Sequence, residues 1–260
     1  MKNWISPKIS LITVVYNNEK TISHAIESVL NQDYPAIEYI VVDGASKDQT
    51  LTIIDSYKKR IAKIVSEPDK GMYDAMNKAI GLATGEVIGI LNSDDLYAHN
   101  QVISHVMQAF EQDASLDIVY GSLNYVKADD TTQVVRRWTS KPYFSSFFEL
   151  GEKPAHPTFF VKKSCYNKAG VFRWADFKTA ADYELMLRFL KVYQFKSRCL
   201  NEILVLMRVG GASNRSIKNL INASVEDLYA WRLNGLKAPF TFLPFKFWIR
   251  AKQYWAAFFN

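Results

Sequence analysis

Cysteine is nearly missing from this sequence, with Cys165 and Cys199 as the two examples among 260 residues. Two cysteines are too few for a disulfide framework, so a hydrophobic core must hold the fold, and 48% of the residues are hydrophobic. Long apolar runs are missing too. No stretch approaches the roughly 18 residues of a membrane-spanning helix, and the opening MKNWISPKIS lacks the apolar segment of a secretory signal. We therefore expect a globular, cytoplasmic protein.

Acidic residues are missing from residues 228–260, where basic residues alternate with many aromatic ones. Such a segment is typical of a helix on a membrane surface, and we predict this contact for residues 239–260. The aromatic stripe is split between two faces, so packing against the domain or a partner protein competes with that prediction. One face carries Phe245, Trp248, Ile249, Trp255 and Phe259, and the other carries Phe247, Tyr254 and Phe258.

Residues 9–95 alternate between strand and helix patterns, which is typical of a doubly wound α/β sheet. Strands are predicted at residues 9–17, 37–44, 61–67 and 87–91, and helices at 19–31, 46–60 and 71–85. Because parallel strands end at one rim, where such sheets bind ligands, the polar residues after them should meet there. These residues are Asn17, Asp43, Glu67, Asp94 and Asp95.

Beyond residue 98 the pattern is less regular and predicts mixed sheet topology. Strands are expected at residues 117–126, 132–138, 158–164 and 198–209, and helices at 99–112 and 180–193. Residues 139–158 contain three prolines and are expected to form a loop around a short helical piece.

Asp94 and Asp95 end an apolar strand in the stretch GEVIGILNSDDLY. Adjacent carboxylates repel each other, and a hard cation such as Mg²⁺ or Mn²⁺ relieves this repulsion when their oxygens bind it. A cation held there can bridge two phosphates. From the residues alone, the alternative is a helix N-cap, which is a common role of aspartate.

Asp43 and Asp182 are two further carboxylates with alternative roles. Asp43 can accept a hydrogen bond from a uracil ring or a ribose hydroxyl, or it can cap the next helix. Asp182 opens a helix, where it fits either the helix dipole or a general base. His156 is a candidate for acceptor contact. Basic residues that can pair with phosphate are Lys70, Arg136, Arg137 and Arg208.

Four stretches together resemble the inverting, nucleotide-sugar-dependent glycosyltransferases of family 2: SLITVVYNNEKTISHAIESVLNQDYPAIEYIVVDGASKDQT, EPDKGMYDAMNKAIGLATGEVIGILNSDD, HPTFFVKKSCYNKAGVF and ADYELMLR. The resemblance covers about residues 8–213. It implies an α/β GT-A fold, which is Rossmann-like, with a mostly parallel central sheet, helices on both faces and here a C-terminal helical extension. The implied domains are residues 1–213, with a nucleotide-binding half at 1–98 and an acceptor half at 99–213, followed by the extension at 214–260.

The resemblance also implies the site residues. Asp182 matches the family's catalytic base, although Ala181 stands where many relatives carry an acid. The family's DXD metal motif falls on NSDD, so Asn92 takes the first acidic position and Asp94 and Asp95 match the later ones, as metal ligands. Residues implied to bind the nucleotide sugar are Thr13, Val15, Tyr16, Asn17, Glu19, Asp43, Lys70, Gly71, Asn92, Ser93 and Asp94, with Asn77 supporting their wall.

The implied reaction moves one sugar from a nucleotide diphosphate sugar, a UDP-sugar by preference, to a hydroxyl. Mn²⁺ or Mg²⁺ would stabilise the departing diphosphate. The Q-x-x-R-W motif of processive relatives is missing, so transfer of a single sugar is expected. The expected acceptor is a glycan or a lipid-linked glycan of bacterial capsule, exopolysaccharide or O-antigen synthesis, at the inner face of the cytoplasmic membrane.

Three alternatives follow from other features of the sequence. A nucleotidyltransferase would carry a glycine-rich loop after the first strand, and VVYNNEKT has no glycine. A sugar-nucleotide or membrane-binding module without transferase activity would have no use for Asp182. Nucleic-acid binding is disfavoured because the net charge of +6 comes without any recognised nucleic-acid motif.

Overall fold

The structure is a computed structural model that describes residues 7–210 and 217–258. The predicted domain boundary between residues 213 and 214 lies outside these ranges, as does Phe259. Among the described helices, none has the length and apolar character needed to cross a membrane.

The first half of the chain forms four parallel strands, paired in the order β3-β2-β1-β4. The strands are β1 Ile9–Val15, β2 Ile37–Asp43, β3 Lys63–Ser66 and β4 Val87–Ile90. The helices that connect them are α1 Ile22–Leu30, α2 Thr50–Ser56 and α3 Met72–Leu82. These are the predicted elements with shorter ends, because the polar residues at their ends form loops.

The second half extends the same sheet with mixed topology, as predicted. The strands are β5 Leu96–Tyr97, β6 Ile118–Val126, β7 Val134–Trp138, β8 Phe160–Lys162 and β9 Ser197–Arg208. The sheet continues from β4 through β8, β6 and β9 to β5, with β7 on β6; β6 and β9 run parallel, and the other pairs are antiparallel. The helices are α4 Val102–Gln112, α5 Lys163–Ala169, α6 Ala181–Leu187, α7 Ile217–Leu233 and α8 Phe242–Phe258. The strand expected at 158–164 is shorter, because α5 already begins at Lys163.

Helices cover both faces of the sheet, so β1 is buried along its whole length. Ile12 and Val14 face the layer that contains α3, α5 and α6, whereas Leu11 and Val15 face the layer of α1, α2 and α4. A strand covered on both sides needs apolar residues at nearly every position. This is why a continuous apolar run, rather than alternation, marks the central strands in the sequence.

Glu38 is a buried carboxylate on β2, at the end of the sheet opposite the rim where Asp43 lies. Its oxygens accept hydrogen bonds from the Ser10 hydroxyl at 2.5 Å, from the Thr84 backbone N–H at 2.7 Å and from Lys8 Nζ at 3.2 Å. Burial alone would raise the pKa of Glu38, but these donors outweigh it and lower the pKa from 4.5 to about 2. Through these hydrogen bonds, Glu38 connects β1 and β2 to the turn before β4.

Replacing Glu38 by Gln should lower the free energy of unfolding by on the order of 2–3 kcal/mol at neutral pH, because the charge-assisted hydrogen bonds are lost. Since the folded-state pKa is depressed, this stabilisation is present above 4.5 and is lost as the pH falls towards 2. Urea unfolding of both proteins at several pH values measures the difference. The exposed neighbour Glu86→Gln serves as the control. A difference that stays constant down to about pH 3 would contradict the assignment.

Candidate active site

Asn17 lies in the loop after β1, with its backbone in the left-handed region at φ of 48°. It connects this loop to the loop after β2. Its backbone N–H donates to Ser46 Oγ at 2.8 Å, and its side-chain oxygen accepts from the Lys47 N–H at 2.7 Å. Asparagine tolerates this backbone conformation better than most residues. Asn17, the first of the predicted rim residues, is therefore suited to the turn that it forms.

Asn18 extends this connection to the loop of the acidic pair. Its backbone N–H donates to Thr50 Oγ1 at 2.8 Å, and its side-chain amide donates to Ser93 Oγ at 2.9 Å. The Thr21 hydroxyl donates to the Ser93 carbonyl oxygen at 3.1 Å. The loops after β1, β2 and β4 are thus joined by hydrogen bonds at one rim of the sheet, where the sequence predicts that they meet.

The residues around Asn17 that were predicted to bind the donor occupy different depths. Tyr16 is 61% exposed at the rim, whereas Val15 is buried in the core. Thr13 is buried as well, and its Oγ1 accepts a hydrogen bond from the Tyr39 hydroxyl at 3.0 Å. Glu19 accepts the Gln49 N–H at 2.9 Å, so its carboxylate orders the start of α2. Of Thr13, Val15 and Tyr16, only Tyr16 is exposed to a ligand.

Asp43 is fully buried at the end of β2. Its carboxylate accepts hydrogen bonds from the Ser46 hydroxyl, from the Ser46 N–H at 3.1 Å and from the Ser66 hydroxyl at 2.6 Å. These contacts fix the carboxylate against the loop that Asn17 also holds. Asp43 therefore organises the turn after β2. A ligand that binds its carboxylate would have to replace the hydrogen bonds from the Ser46 and Ser66 hydroxyls.

Asp95 is fully buried, whereas Asp94 is partly exposed. The Asn92 side-chain amide donates to Asp95 Oδ2 at 2.8 Å, and the Arg208 N–H donates to Oδ1 at 3.3 Å. Burial and the charge of Asp94 raise the pKa of Asp95 well above its usual range, although these donors oppose the rise. Asn92, at the first position of the family motif, thus contacts the acidic pair directly.

These residues fit a divalent cation. A carboxylate has about four lone-pair positions, and each Asp95 oxygen accepts one hydrogen bond from the residues described. A buried carboxylate next to a second negative charge is unstable in its ionised form, and a hard dication compensates both charges. Asp94 and Asp95 thus form a donor set that suits Mg²⁺ or Mn²⁺.

The Arg208 side chain contacts the backbone of the loop that carries Asp94 and Asp95, here called the acidic loop. Its guanidinium donates to the Asp94 carbonyl oxygen at 2.8 Å and to the Ala128 carbonyl oxygen at 3.2 Å, and it lies 3.2 Å from His24 Nδ1. The sequence suggests a phosphate contact for Arg208, but its side chain is buried in these protein contacts. Arg137 is on β7, and Arg136 lies in the cavity described below.

Lys70 and Gly71 lie just before α3, and Asn77 lies on it. Gly71 precedes the helix with φ of 123°, a conformation that L side chains rarely adopt, and Lys70 Nζ lies 5.3 Å from the ring centre of Trp174. The Asn77 side chain exchanges two hydrogen bonds with the Phe172 backbone, at 2.8 and 3.0 Å. Asn77 thus connects the loop before α6 to α3.

Asp182 lies in the first turn of α6 and is partly exposed. The Tyr73 hydroxyl lies 3.1 Å from Asp182 Oδ1 and 3.0 Å from the Thr179 carbonyl oxygen. Burial, and then the charge of Asp182, raise the pKa of Tyr73 well above its usual range, so Tyr73 keeps its proton and acts as a donor. Glu226 on α7 accepts the N–H groups of residues 178–180 and thereby holds the segment that leads into this helix.

A cavity of about 190 Å³ lies beside Asp182. His156 is in its wall, where burial lowers the histidine pKa and the charge of Asp182 opposes the shift. The other walls come from β6, β7, the loop before His156 and α8. Asp182 and the acceptor candidate His156 therefore share one chamber.

Sequence reasoning missed Tyr73 and Glu226, and it gave Arg208 a different role. Tyr73 belongs to the apolar stripe of α3, and the sequence gives no sign that its hydroxyl reaches another segment. The hydrogen bond between Glu226 and Thr179 joins residues that are 47 positions apart in the chain. Such contacts depend on tertiary structure and leave no local pattern.

The sequence matches the model of the family named Glycosyl transferase family 2 over residues 10–172. An uncharacterized glycosyltransferase of Rickettsia typhi is 33% identical over 74% of this chain, which spans 61% of that relative. A PGL/p-HBAD biosynthesis glycosyltransferase of Mycobacterium bovis is 27% identical over 88% of this chain and 84% of its own length.

Solved structures show the same fold. Residues 1–349 of TarS from S. aureus superpose with a TM-score of 0.64 and 21% identity, over 87% of this chain and 64% of that one. The same fragment in complex with UDP-GlcNAc has a TM-score of 0.63 and 18% identity, over 92% of this chain and 72% of that one. A mannosyltransferase of Pyrobaculum calidifontis, in complex with GDP-Man and Mn²⁺, has a TM-score of 0.64 and 20% identity, over 95% of this chain and 69% of that one. These likenesses confirm the predicted α/β GT-A fold.

Replacing Arg208 by Lys should destabilise the acidic loop, because an ammonium cannot span the acceptors that the guanidinium reaches. We expect a loss of about 1–3 kcal/mol in the free energy of unfolding, measured with urea. Arg198→Lys, on the same strand but partly exposed, should cost less than about 0.5 kcal/mol. Equal effects of the two substitutions would show that Arg208 does not support the loop.

Proposed function

This chain belongs to glycosyl transferase family 2, and on that premise we propose that it transfers one sugar from a nucleotide diphosphate sugar to an acceptor hydroxyl with inversion. The main support is the hydrogen-bonded rim, in which Asn17 and Asn18 join the loop of Asp43 to that of Asp94 and Asp95. An acidic pair for diphosphate and a carboxylate for the nucleotide are then parts of one site.

We assign the donor side to the residues of this rim and to Lys70 and Gly71, just before α3. Asp94 and Asp95 would hold Mn²⁺ or Mg²⁺, which supplies Lewis-acid stabilisation to the leaving diphosphate. Asp43 would contact the base, and a UDP-sugar is the preferred donor. TarS has been crystallised with UDP and UDP-GlcNAc, and the Pyrobaculum enzyme with GDP-Man. The full donor set remains Thr13, Val15, Tyr16, Asn17, Glu19, Asp43, Lys70, Gly71, Asn92, Ser93 and Asp94.

Asp182 is assigned as the general base. Its carboxylate accepts the acceptor's hydroxyl proton as the oxygen attacks the anomeric carbon, and the bond from that carbon to the diphosphate breaks on the opposite face. Tyr73 contacts Asp182, and Glu226 holds the segment that leads into its helix. His156, in the same chamber, is the proposed acceptor contact.

The proposed acceptor is a glycan or lipid-linked glycan of bacterial surface polysaccharide synthesis, at the inner face of the cytoplasmic membrane. One relative is named for PGL/p-HBAD biosynthesis. The outer face of α8 supports contact with a membrane, since it exposes Trp248 by 58% and Phe245 by 38%, with Lys252 beside Trp248. The turn before α8 exposes Phe240 by 94%.

Two substitutions separate the roles of the carboxylates. Asp182→Asn should reduce sugar transfer by about 10²- to 10⁴-fold and leave donor binding intact, because a general base is lost. Asp94→Asn should instead abolish metal-dependent donor binding. A panel of UDP-, GDP- and dTDP-sugars with Mn²⁺ or Mg²⁺, followed by thermal shift and product formation, measures both effects and names the nucleotide. Unchanged transfer by Asp182→Asn would reject the proposed base.

Membrane contact is tested best by point substitutions, since deletion of residues 239–260 would also remove the buried Phe242 from the core. The double substitution Phe245→Ser and Trp248→Ser should weaken binding to anionic phosphatidylglycerol vesicles at least about tenfold, because two exposed apolar groups are lost. Co-sedimentation measures this. Val225→Ser, at an equally exposed position of α7, is the control. Equal binding by all three proteins would refute the contact.

A further inference from the structure

α8 places charged side chains on its inner side. Lys246, Arg250 and Gln253 line the cavity beside Asp182 together with Phe247 and Ile249, whereas Phe245 and Trp248 are exposed. A surface helix normally buries its apolar stripe. The helix is nevertheless held closely, since a Cβ on Gly151, which has φ of 73°, would lie 2.5 Å from the Lys246 backbone nitrogen. The inward charges therefore belong to the cavity wall.

Two carboxylates of this wall are already paired. Lys246 Nζ lies 2.5 Å from Asp227 Oδ2 and 3.0 Å from Ser224 Oγ. Glu152 accepts a hydrogen bond from Lys141 at 2.5 Å. Among the acidic residues that line the cavity, this leaves Asp182, which accepts a hydrogen bond from the Tyr73 hydroxyl. The positive side chains of the wall therefore exceed the carboxylates available to them.

Lys153 is the clearest example of a positive side chain in this wall that is not paired with a carboxylate of the described residues. Its ammonium lies 5.7 Å from the ring centre of Trp138 and 5.6 Å from that of Tyr183. Within the part of the chain that the structure describes, it makes no hydrogen bond or ion pair, although an ammonium has three donors. Aromatic faces attract a cation but do not satisfy its N–H groups. Lys153 is thus held in position with its donors available to a ligand.

Arg136 lies in the same wall and is fixed by aromatic stacking. Its guanidinium is 4.0 Å from the ring centre of Tyr125, and it donates to the Tyr125 hydroxyl at 3.2 Å and to Gln253 Oε1 at 2.9 Å. A guanidinium fixed by these contacts is suited to phosphate oxygens, and an ammonium adds a point charge. The two cations come from different elements and converge on one chamber.

We propose that this chamber is an anion subsite that binds a phosphate or diphosphate group of the acceptor through Lys153, with Arg136 beside it. The proposal rests on the proposed glycosyl transfer, because Asp182 shares the chamber and an anchored phosphate would bring the acceptor hydroxyl to this base. The volume of about 190 Å³ leaves room for a phosphate group with bound water. The phosphate is carried either by a lipid headgroup or by a soluble acceptor.

Binding of inorganic pyrophosphate tests the subsite directly. The titration is done with chelator and without divalent cation, so that the acidic pair does not contribute, and is followed by calorimetry and by tryptophan fluorescence, since Trp138 adjoins Lys153. Lys153→Met should weaken the affinity at least about tenfold, because a charge-assisted contact is lost while packing is kept. Lys153→Arg should retain the affinity, and Lys59→Met, at an exposed position on another face, should leave it unchanged. Equal affinities of Lys153→Met and the unaltered protein would overturn the proposal.

Phosphatidylcholine vesicles with and without phosphatidic acid distinguish the two sources of phosphate. Phosphatidic-acid-dependent binding that is lost in Lys153→Met supports a lipid headgroup, and loss of pyrophosphate affinity alone supports a soluble phosphorylated acceptor. The subsite and the transferase activity can fail separately. If the protein transfers sugar but its affinity for pyrophosphate does not depend on Lys153, the subsite alone is overturned. If the affinity depends on Lys153 but no sugar is transferred to any acceptor, the proposed function is overturned.

Discussion

The arrangement of the loops at the sheet's rim depends on the turn that Asn17 and Asn18 make after β1. Parallel strands bring three loops to one rim, but loops lack the regular backbone pairing of a sheet, and their polar groups need partners. The two asparagines supply these partners to the loops on either side, through Ser46 and Lys47 in one and Ser93 in the other. The carboxylates carried by these loops therefore hold fixed positions before any ligand is present.

The three carboxylate sites differ in how their charge is accommodated. Asp43 is buried with serine hydroxyls, which can reorient, whereas Asp95 is buried with an amide and a backbone N–H, next to Asp94. The second environment disfavours ionisation unless a cation is close. Asp182 differs again, since it is partly exposed at a helix start and has one phenolic partner. Such environments fit a base contact, a metal site and a proton acceptor respectively.

The sequence predicts the sheet well where burial on both faces produces unbroken apolar strands, as in β1 and β4. It also identifies the rim, because the residue types that end strands are distinctive. It does not predict contacts such as those of Tyr73 with Asp182 or of Arg208 with the acidic loop, since these join segments more than 100 residues apart. For α8, the aromatic and basic pattern predicts membrane contact, with packing against the domain as the alternative. The sequence does not show which residues serve which role: Phe242 is buried, Phe245 and Trp248 are exposed, and Lys246 and Arg250 line the cavity.

The C-terminal helices pack against the segment that carries Asp182. Glu226 on α7 accepts the N–H groups of the segment that leads into α6, the Trp231 indole N–H donates to the Tyr183 hydroxyl at 2.8 Å, and α8 forms one wall of the chamber. The family match ends at residue 172, before Asp182 and both helices. Arg136, Lys153 and His156 lie inside the matched segment, yet they line the same cavity as Asp182, α7 and α8, which lie beyond it. The cavity therefore joins the segment shared with the family to a part of the chain that the family match does not cover.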